Sequence, residues 1–387
     1  MGCRGTPIAL HGRFAGPIGT WSEQAARAVQ AYLDVGMRVT FAPLLRDGGL
    51  LAYDDEAFVA ALAEDICEYA RSMIRARSVP VAEQVAFSRA LWDRWHAHPS
   101  GRVRIDFAPA NIDACSGESS ARSLSWLALL ARASTCIYSR RAVKGEFARR
   151  RWGVSAVRRL EDVGALTSRL TIAHAVWVSV DDIRLLAERD VVVVHNPSSN
   201  LRLGSGVAPV DALRRSGVPV ALGIDEAGLN DDHDVLSEMR LAYTLHRSSG
   251  GSWSAVDSAD DVLEMVTRVG ARSTGFEDRT GELAPGRQAD LVVLDRGSFA
   301  QVGLPQQIPL AEQIVRCARP SAVRAVVVAG EVIYRLGRFT RINADDARRE
   351  LAAHLARPLT DAEQRRAALA ARLASYVARY YDNWGGT

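Results

Sequence analysis

The sequence predicts an α/β protein whose parallel strands form a (β/α) barrel, and three observations carry that prediction. Apolar, β-branched runs at residues 170–173, 191–194 and 218–222 each end in polar residues: His174, then His195-Asn196-Pro197-Ser198-Ser199-Asn200, then Asp225. Each run is followed by a stretch with helical periodicity, the rhythm of repeated βα units. At 387 residues the chain has ample core for one large domain, or one large and one small. In barrels built this way, chemistry sits where each strand hands over to the following loop. His174, His195 and Asp225 all occupy that position.

Taken in order, the chain opens with a strand expected at residues 6–10, with His11 at its end. The next helix starts with Thr20 and Glu23 in capping-box spacing and closes near Gly36, before a strand at 38–41. Long helical stretches cover 55–77 and 81–96, the second preceded by Pro80. A strand at 103–108 leads into Pro109-Ala110-Asn111-Ile112-Asp113-Ala114-Cys115-Ser116, then a helix at 119–131 and a short strand at 134–137. Helices at 143–151 and 154–163 reach the 170–247 stretch. Beyond it the pattern gives a helix at 257–271, strands at 291–294 and 325–328, and a hairpin in GEVIYRLGRF. A long amphipathic tail follows at 345–381, with Trp384 near the terminus. The barrel strands end near His11, Phe41, Ala108, Ile137, His174, Val194 and Leu222. That is seven, and a closed (β/α) barrel needs eight.

Composition narrows the function classes. The apolar share of 48% and charged share of 24% are those of an ordinary globular protein. Of 48 basic residues only Lys144 is a lysine, a skew that points to genomic base composition. Against 45 acidic residues the net charge is only +3, and no basic block argues for nucleic acid. Five scattered cysteines without CxxC spacing read as reduced thiols in a cytoplasmic protein. No apolar run of membrane-spanning length and no signal-peptide core is present in the sequence, so a membrane role is not expected.

The central stretch closely resembles the amidohydrolase superfamily, in its chlorohydrolase, guanine deaminase and adenosine-type deaminase branch. The motifs that carry the resemblance are the His of AHAVW, the HNPSSNLRLGSG loop, GIDEAGLND and EMRLAYTLHR. A second signature, GELAPGRQADLVVLD at 281–295, is similar to that family's return into a small β-sandwich. The resemblance implies a TIM-type barrel lacking its first strand over residues 1–275, a sandwich segment at 276–340 and a helical tail at 341–387. An exposed barrel edge is normally covered. A homodimer, another chain or the tail is expected to cover it.

Members of this family hydrolyse C–N or C–Cl bonds of small heterocycles with a divalent metal, zinc or iron, which lowers the pKa of bound water. Their ligands are a His-x-His pair on the first barrel strand, a His on the fifth and an Asp on the eighth. A His on the sixth strand holds the water or substrate, and a Glu three residues after the fifth-strand His shuttles protons. By resemblance, His174 matches the sixth-strand His and Asp225 the eighth-strand Asp, which makes them the catalytic candidates and the candidate metal ligands. Ile137 stands where the family has His and Arg140 where it has Glu, and no histidine lies between His98 and His174. By resemblance the first-strand His-x-His pair is absent, because the match begins just before the second strand. Zinc usually needs three or four protein ligands.

Cys115, Arg140, His195, Asn196, Ser199 and Asn200 are the candidate substrate contacts. Asn196, Ser198, Ser199 and Asn200 are also turn formers, so capping accounts for them as well as substrate contact does. Arg140 fits a pocket retuned toward an anionic group, because guanidinium binds carboxylate or phosphate bidentately. His233 reads as a solvated surface residue, His11 as a residue within reach of the barrel mouth, and Glu238 and Arg240 as structural. Two functions follow. One is a deaminase or chlorohydrolase acting on a small ring. The other is a metal-free homologue that binds a small ligand, pairs with an active relative or performs non-hydrolytic biosynthetic chemistry.

Overall fold

A computed structural model describes residues 8–12, 14, 16–109, 114–115, 133–138, 142–225, 233–246, 258–299 and 308–382. Eight strands lie in two parallel sheets: β1 Ile8–Gly12, β2 Val39–Leu45, β3 Val103–Ile105 and β4 Ala108–Pro109 in one, β5 Ala133–Tyr138, β6 Leu170–His174, β7 Val192–His195 and β8 Val220–Leu222 in the other. Every residue of β6 is buried, as expected of a parallel strand covered by helices. The register sets Ala173 against Val194 and His195 against Leu222, so the carboxyl ends of β6, β7 and β8 lie side by side. That edge is where the segments after each strand meet.

Two apolar cores flank these sheets. Leu170, Ile172, Val193 and Val220 from the strands pack with Leu186, Leu213, Val262 and Met265 from helices. Val39, Phe41 and Ile105 pack with Trp21, Val29 and Phe87, and the rings of Phe14 and Trp21 stack at 5.2 Å. An antiparallel sheet in the order β12-β11-β10-β9 follows, from β9 Leu291–Leu294, β10 Val323–Val328, β11 Glu331–Arg335 and β12 Arg338–Phe339. It is joined to the start of β2 by the buried Arg38, whose Nε lies 2.5 Å from Asp290 Oδ2.

Several sequence expectations are corrected. The 55–77 stretch is two helices, Asp55–Ala60 and Glu64–Arg77, which turn Phe58 and Val59, then Ile66 and Ala70, into one cluster. No breaker residue marks that division, so packing decides it. The 257–271 stretch likewise divides into Ala259–Val266 and Arg268–Ser273 at Thr267. Thr20 makes no side-chain cap; its hydroxyl donates to Pro17 O instead, although Gly36 ends the helix in the left-handed region as expected. The strand at 103–108 is two short pieces around Asp106. The polar segment after β7, read as loop, contains the helix Pro197–Arg202, which begins with proline where the missing N–H costs nothing. The helix expected at 119–131 lies outside the described residues.

The tail divides at Pro358 into Ala344–Leu355 and Asp361–Asp382, since proline cannot continue the first helix. The second helix docks on the helices after β2. Leu373 packs with Phe58, Ile66 and Ala70, and the Tyr53 N–H donates to Tyr381 Oη at 2.8 Å. Truncating Leu373 leaves a cavity there, so Leu373→Ala is expected to cost about 2–4 kcal/mol. Urea unfolding checks this, and a midpoint equal to that of the native chain would show that the tail contributes nothing to the core.

Candidate active site

Three left-handed, non-glycine residues cluster at the carboxyl ends of β6 and β8: His174 at φ 74°, Ala175 at 45° and Asp225 at 68°. Backbone of this kind costs on the order of 1–3 kcal/mol per residue and persists where surrounding structure imposes it. Here it aims two side chains at each other. His174 is buried, with Nε2 3.7 Å from Asp225 Oδ2. Its other ring nitrogen, Nδ1, lies 2.8 Å from Asn200 Oδ1. A carbonyl oxygen only accepts, so Nδ1 carries the proton and the Nε2 lone pair faces the carboxylate side. Ser199 Oγ donates to Asp225 Oδ2 at 2.5 Å. Adjacent residues of the helix Pro197–Arg202 thus each orient one member of the pair.

The loops approach closely enough to require a glycine. A Cβ on Gly223 would come within 2.4 Å of Asn196 Oδ1 and 2.6 Å of Val194 Cγ1. Asn196 Nδ2 in turn donates to Val194 O at 3.4 Å, which ties the turn back to β7.

His195 is fully buried at the end of β7, and its Nε2 lies 2.9 Å from Nε2 of His246, the residue that ends the helix Val235–Leu245. Its Nδ1 has no hydrogen-bond partner among the described residues. Burial first, then the neighbouring His246 and His174, push the His195 imidazole well below its ordinary range. Burial pushes His246 down to about 4. The contact is therefore made between neutral rings near pH 7, one donating and one accepting. Because folded-state values lie below the unfolded value of about 6.5, the unfolded chain binds more protons as pH falls from about 6.5 towards 4. Stability is complete above that window and is lost on passing down through it. The expected loss from His246 is about 2 kcal/mol once partial solvent screening is allowed for. Urea midpoints at pH 7.5 and 4.5 check this, with His246→Asn expected to narrow the difference; an unchanged difference would overturn it.

Two residues with geometric importance are not legible from spacing alone. Glu238, on the same helix as Leu236, Met239, Ala242 and Tyr243, is buried and accepts from Ser198 Oγ and from Ser198 N–H, the latter at 3.3 Å. His246 is the other. Their only sequence signal is an acid and an imidazole bordering an apolar helix face. Arg240 donates to Arg316 O at 3.0 Å and to Ala318 O at 2.8 Å, a structural role. His233, expected at the solvated surface, is half-buried with φ 52°, next to the Asp234 that caps the helix. Cys115 is half-buried, with Sγ 3.8 Å from Leu45 O. Ile137 lies on β5 opposite Ala173, and His11 on β1 opposite Ala42. Arg140 lies outside the described residues.

His174 and Asp225 offer two donors to a metal ion. Among the described residues, no group of three or more His, Cys, Asp or Glu side chains is placed to hold one. Catalytic zinc takes three protein ligands plus water. The described donor set does not fit the ion.

The amidohydrolase family profile matches residues 54–333. The chain belongs to the amidohydrolase family. A 5-methylthioadenosine/S-adenosylhomocysteine deaminase of Syntrophobacter fumaroxidans is 35% identical over 268 residues, 69% of this chain and 60% of its own length. One from Desulforudis audaxviator is 31% identical over 327 residues, 84% of this chain and 68% of its own length. A 5'-deoxyadenosine deaminase of Methanosarcina acetivorans is 38% identical over 183 residues, 47% of this chain. The chain therefore spans between 41% and 68% of the length of these curated relatives. Among solved structures, an adenosine deaminase from Xanthomonas campestris with bound zinc superposes with a TM-score of 0.69 at 24% identity, covering 96% of this chain and 71% of that one. Atrazine chlorohydrolase from Arthrobacter aurescens, complexed with zinc, gives 0.72 at 23% identity, covering 90% of this chain and 72% of that one. These likenesses establish the fold, an amidohydrolase α/β fold of the TIM-barrel type. No described helix is long and apolar enough to cross a membrane.

Proposed function

We propose that this amidohydrolase is of the deaminase type and releases ammonia from a small heterocycle of the purine-nucleoside kind, with His174 and Asp225 as its reacting groups. The observation that carries the reading is the buried His174–Asp225 pair, 3.7 Å apart and held by Asn200 and Ser199. The likeness to 5-methylthioadenosine/S-adenosylhomocysteine and 5'-deoxyadenosine deaminases supports the substrate class. In such a reaction water adds to the ring carbon that bears the amino group, and the C–N bond breaks as C–O forms. Asp225 and the His174 Nε2 lone pair are the groups placed to take the water's proton. Protonated His174 then returns it to the departing nitrogen, a general-base and general-acid exchange. No step is routed through a metal, because the described donors do not complete a site.

His195 and Asn196 border the same turn and are the proposed substrate contacts with Ser199 and Asn200. Cys115, and Arg140 two residues beyond β5 in sequence, are proposed as further substrate contacts. A second reading, a metal-free homologue that binds a heterocycle without hydrolysing it, is favoured by the two-donor set.

The test is ammonia release from adenosine, 5'-methylthioadenosine, S-adenosylhomocysteine, guanine and a chlorotriazine, with and without added zinc. Turnover of a nucleoside supports the first reading. Calorimetric binding without turnover supports the second, and neither binding nor turnover overturns both.

A further inference from the structure

Glu238 is 1% exposed, and both of its carboxylate oxygens accept from Ser198. Ser198 Oγ donates to Oε1 and the Ser198 N–H to Oε2. A buried carboxylate is retained only where hydrogen bonds satisfy it. Ser198 sits in the helix Pro197–Arg202, directly before Ser199, which donates to Asp225, and Asn200, which accepts from His174.

That helix has six residues, fewer than the roughly 12–15 an isolated helix needs to be more than marginal in water. Its orientation is therefore set by what holds it. The helix Val235–Leu245 and its end residue hold the segment at two points: Glu238 at Ser198, and His246 at His195. Ser199 and Asn200, which aim the pair, follow directly after the anchored Ser198.

We propose that Glu238 is a positioning residue, which by gripping Ser198 fixes the turn whose next two residues orient Asp225 and His174. This rests on the reading of that pair as the reacting groups. A tilt of the short helix moves Ser199 and Asn200 together, so both members of the pair lose their orientation at once. Misplacement of about 1 Å at reacting groups can cost on the order of 100-fold in rate. Ser199 and Asn200 are also proposed substrate contacts, so KM rises as well, but the larger part of the loss falls on kcat, because both reacting groups are misaimed at once.

The experiment compares Glu238→Ala, Glu238→Gln and Ser198→Ala with Val262→Ala, a core truncation on another helix that serves as the control for lost stability. Glu238→Ala is expected to lower kcat about 100-fold and to raise KM by less than about tenfold. Glutamine keeps an oxygen to accept from Ser198 Oγ but places an amide donor against the Ser198 N–H. It should therefore recover most of the loss, to within about tenfold of native. Val262→Ala should lower Tm and leave kcat unchanged. A Glu238→Ala enzyme with kcat within threefold of native overturns the proposal, as does an equal kcat loss in Val262→Ala at the same fall in Tm. If the native chain turns over no heterocycle, the functional reading fails separately. Crystal structures of the native chain and Glu238→Ala then decide the positioning. Movement of Ser199 off Asp225 and Asn200 off His174 in the variant upholds it, and unchanged contacts overturn it.

Discussion

Asp225→Asn is expected to cut ammonia release about 1,000-fold while the protein stays folded and unfolds at a similar temperature. Asparagine keeps the shape of the side chain, and its carbonyl oxygen can still accept from Ser199 Oγ. It also tolerates the left-handed backbone at φ 68° about as well as aspartate does, whereas alanine would add strain. What it loses is the negative charge 3.7 Å from His174 Nε2. That charge stabilises the imidazolium formed when His174 takes a proton, and it offers a second basic site to the water. Removing a general base or a charge that acts in the transition state typically costs between 100- and 10,000-fold. His174→Gln should produce a loss of similar size, and the double variant should be little worse than either single one, because groups that act as a unit do not contribute additively. A rate within tenfold of native in Asp225→Asn would remove the pair from the chemistry. Losses that multiply in the double variant would show that the two residues act independently.

The positions of His174, His195 and Asp225 are legible because β-branched runs ending in polar residues mark strand ends, and strand ends in such sheets face one edge. What Ser199 and Asn200 do there is not legible. Their residue types fit capping and substrate contact equally, but the structure gives them a third part, that of bonding across two different strand ends to Asp225 and His174. Partners 26 residues away in sequence in both directions are set by packing of loops, which no local pattern encodes. Glu238 illustrates the same point. Spacing of i and i+2 from Arg240 separates the two around the helix, but only the neighbouring element decides which of them is buried. The divided helices sort in the same way. Pro358 marks the break in the tail, whereas residues 61–63 carry no proline or glycine and divide to bury Phe58 and Ile66 together.

Arg38→Met is expected to destabilise the chain by about 3–5 kcal/mol, the cost of leaving a buried charge without its partner. Arg38 and Asp290 are 1% and 3% exposed at their side chains. The guanidinium donates to Asp290 Oδ2 at 2.5 Å and to Oδ1 at 2.9 Å, to the Gln288 side chain and to Gly101 O at 2.8 Å, and it lies 5.6 Å from the Phe276 ring. Methionine fills much of the space and satisfies none of these acceptors. Among the described residues, Asp290 would keep the Ala329 N–H, at 2.7 Å, as its donor, on a carboxylate that still cannot reach water. Adding Asp290→Leu removes the stranded charge, so the double variant should regain at least half of the loss, although Ala329 then lacks its acceptor. Urea unfolding of the four proteins gives the coupling energy, expected to exceed about 2 kcal/mol for groups in direct contact. The consequence reaches beyond one ion pair, because residues 288–290 enter the antiparallel sheet through β9 while Arg38 precedes β2. A cost below about 1 kcal/mol would mean that this sheet is held to the parallel strands by the apolar contacts of Val35 and Met37 with Val326, Val328 and Ile333 and by the Arg102 bonds to Val328 O and Glu331.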